Sequence, residues 1–106
     1  MSFIDKDYFL KFSGIDIEVE FENSNFDTDD APQIFMKRVE DTTIAILKDR
    51  YDNEDFENKV NANLEEFKKG MAYQIYEKLK KGETNSINDT AFVIFRNIGL
   101  CNLRRG

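Results

Sequence analysis

The sequence predicts a small all-α fold. Three observations carry that expectation: a long apolar stripe at helical spacing, helix-capping residues at the ends of several segments, and glycines that sit singly, mostly where helices should stop. The expected architecture is a small helical bundle. It has two long antiparallel helices, short N- and C-terminal helices, and an extended acidic arm that reads as a single β-strand. The chain has 106 residues, which predicts one domain over 1–106.

Residues 5–13 read as the first helix. Asp5 is placed to cap its start and Gly14 to end it in the left-handed conformation. Tyr8, Phe9 and Phe12 fall on one face, the face expected to pack. Residues 15–22 read IDIEVEFE, with Ile15, Ile17, Val19 and Phe21 alternating with Asp16, Glu18, Glu20 and Glu22. Period two is the signature of a strand with one apolar and one acidic side. No second alternating run exists to pair with it. The segment is therefore expected either to pair with another chain as a strand or to pack on helices as an extended arm, with irregular or helical structure as the alternative to a strand.

Residues 23–30, NSNFDTDD, form a polar loop that lacks the spacing of a calcium-binding loop and leads into a helix capped by Asp30. The first long helix spans 31–51, with Pro32 in the turn where its missing donor costs nothing. Phe35, Met36, Val39, Ile44, Ile46 and Leu47 make its apolar face, while Glu40 and Asp41 are expected largely elsewhere.

The second long helix spans 54–81. Phe56, Val60, Leu64, Phe67, Met71, Ile75 and Leu79 step by three or four throughout, the strongest periodic signal in the chain. Gly70 interrupts it at a cost of about 1 kcal/mol relative to Ala, which suggests a close helix–helix approach there. Lys78, Lys80 and Lys81 suit the negative end of the helix dipole, and Gly82 ends it. A last helix over 87–98 starts with Ser86 and Asp89 at capping-box spacing, buries Ile87, Ala91, Ile94 and Ile98, and ends at Gly99.

Composition narrows the chemistry. Histidine is absent and Cys101 is the single cysteine. Ser-His and Cys-His nucleophilic sites, Cys/His zinc sites and intrachain disulfides are thereby excluded within one chain. No phosphate-binding glycine loop is present, and adjacent carboxylates such as Glu65–Glu66 point about 100° apart on a helix. No catalytic, cofactor-binding or metal-binding residue is expected, and no enzyme activity. No apolar run approaches the ~20 residues of a membrane helix, and the acidic start has no signal-peptide core, so no membrane association is expected. Net charge is −6, unevenly placed: residues 1–36 hold two lysines against nine carboxylates, or −7. Arg96, Arg104 and Arg105 close the chain with no acid among them.

Four stretches, in order, resemble the head–tail connector (head-completion adaptor) proteins of long-tailed bacteriophages. They are FIDKDYFLKFSGIDI, APQIFMKRVEDTTIAILKDRY with its Lys37–Asp41 centre, FKKGMAYQIYEKLKKGE, and AFVIFRNIGLCNLRRG. The regular alternation at 15–22 and the short loop at 83–86 depart from that pattern. The resemblance implies a structural protein of the virion neck, assembled in the bacterial host cytoplasm. Copies would form a ring, typically dodecameric, under the portal, bind the portal protein and a tail-side connector or tail terminator, and let DNA pass without specific binding. The residues expected at subunit or portal contacts are Ile15, Ile17, Val19, Phe21, Leu100, Leu103, Arg104 and Arg105. The acidic first third also motivates a competing expectation, an acidic inhibitor or antitoxin-like protein that mimics DNA.

Overall fold

The computed structural model describes residues 3–22, 31–82 and 85–103. Among them there are six α-helices and no strand. The acidic loop at 23–30, with Asp30, and the terminal Arg104 and Arg105 lie outside the described residues.

Helix α1 (Lys6–Ser13) has the predicted ends. The Asp5 carboxylate accepts from the Tyr8 N–H at 2.8 Å, and Gly14, at φ 74°, donates its N–H to the Leu10 carbonyl. Phe9 points into the core and is fully buried.

The segment read as an arm or strand is instead a second short helix, α2 (Ile17–Glu22). The Asp16 carboxylate accepts from the Glu18 N–H at 3.1 Å and starts the turn, while Glu18 and Glu20 sit at the positive end of the helix. A lone strand needs a neighbour for its backbone groups, and the described residues supply none; a helix satisfies them locally. The alternation consequently does not sort the side chains: Ile17 is 1% exposed and Val19 51%.

Helix α3 (Ala31–Arg50) buries Phe35, Met36, Val39 and Leu47 as expected. It also buries Glu40, at 1% exposure, which pattern alone placed outside the core. The Glu40 carboxylate accepts from the backbone N–H groups of Phe3 and Ile4, at 2.7 and 3.3 Å, and so holds the N-terminal segment against α3. Gln33 adds a bond to the Ile4 carbonyl.

The predicted 54–81 helix is two helices, α4 (Phe56–Ala62) and α5 (Leu64–Lys81), broken at Asn63. In a continuous helix the Asn63 N–H would bond the Lys59 carbonyl. Here it bonds Val60, three residues back, while the Asn63 side-chain amide takes the Lys59 carbonyl at 2.9 Å. Asparagine competes with its own backbone in this way. The break turns Leu64 off the stripe, and it is 40% exposed, whereas Phe67, Met71 and Ile75 are fully buried.

Helix α6 (Asp89–Asn97) is capped by Asn88, whose side chain accepts from the Ala91 N–H at 3.0 Å; Ser86 does not cap it. Ser86 is held instead by Lys78, whose Nζ donates to its carbonyl and hydroxyl oxygens. The most extensive helix–helix contact is between α5 and α6, which run in opposite directions. Asn88 meets Gln74, Phe95 meets Gly70 and Phe67, and the Gly99 carbonyl accepts from Lys59. The close approach expected at Gly70 is present: a Cβ there would lie 2.6 Å from the Phe95 ring. Beyond α6 the chain turns at Gly99 (φ 85°), buries Leu100 and Cys101, and forms an isolated bridge between Leu103 and Tyr51.

Candidate interaction surface

No set of three or more acidic or cysteine side chains among the described residues is placed to hold a metal ion. Cys101 is buried, and loss of hydration pushes its thiol up to about 11, against a smaller opposing effect of Arg96, so its thiolate is scarce at neutral pH. A cavity of about 240 Å³ opens between α3 and α5, lined among others by Arg38, Thr42, Thr43, Gln74 and Lys78. Its inner polar groups are spent on the fold. Lys78 and Gln74 both donate to the Ser86 carbonyl, Gln74 also accepts from the Asn88 N–H, and Thr43 donates to the Val39 carbonyl. This network anchors the segment that leads into α6. No helix of the described chain is long and apolar enough to cross a membrane.

The residues expected at contacts with other chains separate into three groups. Ile17 and Leu100, at 1% and 0% exposure, are core residues of their own chain, and Ile15 is half-buried against that core. Ile17 and Leu100 are therefore packed within their own chain and are not presented on its surface. The tail is tied back on its own chain, where the Asp52 N–H donates to the Asn102 carbonyl at 2.9 Å. Val19 and Leu103 remain open to solvent, Leu103 at 81%. The Phe21 side chain, like Arg104 and Arg105, lies outside the described residues.

Beside the core stripe of α5 the structure shows a second, exposed row. Lys69, Tyr73, Tyr76 and Lys80 follow one another along α5 at spacings of four, three and four, and all are exposed. Two tyrosines at 37% and 42% exposure lie between two lysines. Tyr73 packs edge-on against Phe12 of α1, which stacks in turn on Tyr8, and Lys68 lies over the Tyr8 ring at 4.4 Å. Lys80 reaches over Tyr76 at 5.9 Å. The signal was present in the sequence as a second row on the helix whose first row is the core.

On α2 and the turn before it, Asp16, Glu18, Val19 and Glu20 are all exposed. Glu18 pairs with Lys6 of α1. The molecule thus carries a Tyr/Lys row at one place and an acidic knob with an apolar centre at another. No family model matches the chain, and neither a curated protein nor a solved structure matches it.

Proposed function

We propose that the chain is a head–tail connector subunit of a long-tailed bacteriophage. Copies form a ring, dodecameric by analogy with the family it resembles, that joins the portal of the filled capsid to the tail and extends the channel through which DNA passes. The observation that carries this reading is the ordered resemblance of four segments spanning most of the chain. An all-α fold with no metal-holding cluster among its described residues is compatible with a structural role. A net charge of −6 disfavours tight binding of phosphate, as suits a channel in which DNA must slide. Leu103, exposed and followed by two arginines, supplies an apolar and basic end for a portal or tail-side partner.

The test is deletion of the gene from the phage or prophage that carries it. DNA-filled heads without tails, restored by the protein in trans, are expected. Tailed infectious particles from the deletion would end this reading. The finer role of the tail is tested by truncation after Asn102, which leaves the buried Leu100 and Cys101 in place. The acidic first third keeps one second reading in play, a DNA-mimic inhibitor; wild-type assembly of the deletion mutant, with tight one-to-one binding of a basic protein by the purified chain, would favour it.

A further inference from the structure

We infer that the Tyr/Lys row on α5 is the docking face for the acidic α2 of a second copy of this chain, in a head-to-tail contact. The inference rests on the ring assembly proposed above and names its joint.

The argument starts from charge. Lys69 and Lys80 flank the exposed Tyr73 and Tyr76, and Lys81 follows in the same last turn. Residues 5–22, the described acidic front, hold two lysines against six carboxylates, and Asp16, Glu18 and Glu20 on it face solvent. Lys69 and Lys81 are paired on their own helix with Glu66 and Glu77, at 3.3 and 3.7 Å, and Glu18 with Lys6 of α1, so the opposite charges that remain to meet are chiefly Lys80 on one surface and Asp16 and Glu20 on the other. Each surface has an apolar centre, the tyrosine pair on one and Val19 on the other. Tyrosine suits such a face because its ring gives contact area and its hydroxyl tolerates water when unbound. The row from Lys69 to Lys80 is about 16 Å long at helical rise, enough for a helix of six residues, about 9 Å, with its flanks.

Geometry then sets the kind of assembly. Row and knob are different surfaces of one chain, so a contact between them is heterologous: each copy donates its α2 to one neighbour and accepts an α2 from the other. Contacts of that type close into rings when the rotation allows. The patch is small and lightly apolar, so a single contact is weak and strongly dependent on salt. Stable closure would come from every subunit being held on both sides.

Two surface variants test this without touching the core. The first reverses the row, Lys69→Glu with Lys80→Glu. The second reverses the knob, Val19→Lys with Glu20→Lys. All four positions are exposed, and circular dichroism and thermal melting check that both variants fold. Sedimentation velocity at low salt and high protein concentration reads association. The wild type should associate and each variant alone should be monomeric. An equimolar mixture of the two should associate again, because each variant then meets a partner of opposite sign. If the wild type associates and either variant alone still does so, this joint is overturned while the ring reading stands. If the wild type stays monomeric under all these conditions, the α5–α2 contact is overturned as a self-association site, and the gene deletion alone then decides the connector reading. Association of the wild type that the mixture fails to restore also overturns the pairing of these two faces.

Discussion

Replacing Gly70 with alanine sets two effects of opposite sign against each other, and the structure decides between them. Alanine stabilises a helix interior by about 1 kcal/mol over glycine. At Gly70, however, the new Cβ would sit 2.6 Å from Cε1 of Phe95, 3.0 Å from Cζ and 3.1 Å from Cδ1. Relief requires the ring to move by about 1 Å to reach ordinary van der Waals separation. Phe95 is fully buried and packs on Phe67, with centroids 5.6 Å apart, so the displacement passes into the centre of the core. Overpacking of this kind costs about 1–3 kcal/mol, and the lack of a free direction places this case in the upper half. The net expectation is a destabilisation of about 1–2 kcal/mol, which lowers the melting temperature by roughly 5–15 °C in a domain of this size. Urea denaturation followed by far-ultraviolet circular dichroism measures it, with the slope of the transition unchanged. Phe95→Leu removes the obstructing ring edge. The double variant should therefore be at least about 0.5 kcal/mol more stable than the sum of the two single losses predicts. A Gly70→Ala variant about 1 kcal/mol more stable than the wild type would refute the close packing of α5 on α6.

Glu40→Ala should cost about 2–3 kcal/mol, because it strips a buried carboxylate acceptor from the N–H groups of Phe3 and Ile4; Glu40→Gln, which keeps one acceptor, should cost less, and equal losses for the two would show that the acceptor is not what matters. Ile75→Ala should cost about 2–5 kcal/mol and Leu64→Ala under about 1 kcal/mol, although both lie on the same sequence stripe; equal losses by denaturant titration would mean that α4 and α5 are one straight helix. The Cys101 thiol, raised to about 11, should react with iodoacetamide at pH 8 at least tenfold more slowly in the folded protein than in urea. Equal rates, corrected for the effect of urea on the reagent, would show that the tail from Gly99 is not packed.

Much of the helical framework was legible because its signals are local. Asp5 and Gly14 bracket α1 by their own side-chain and backbone chemistry, and the four-residue spacing of Phe67, Met71 and Ile75 marks the buried side of α5 whatever packs on it. Even Gly70 was informative, since a costly residue in a strong helix implies a close neighbour, although only the structure identifies it as Phe95. The candidate surface was less legible. Alternation named Ile17 and Val19 as equals, and the tail named Leu100 beside Leu103; in each pair the fold buries the first and exposes the second. The tyrosine row on α5 was hidden by the stronger apolar row on the same helix.

The sequence by itself determined the ends of α1, the buried stripe of α5 from Phe67 to Ile75, the acidic front and the absence of histidine chemistry, because each depends on residue type and spacing along one segment. Three outcomes were left to the tertiary structure. Residues 17–22 are helical because no strand among the described residues is there to accept their backbone. The long helix breaks because the Asn63 amide outcompetes the backbone for one carbonyl, a choice that spacing does not encode. Glu40 is buried because the fold carries two N–H groups, 36 and 37 residues distant in the chain, to its carboxylate. A charge is counted as surface until something far away in sequence arrives to replace its water, and that arrival is a property of the fold alone.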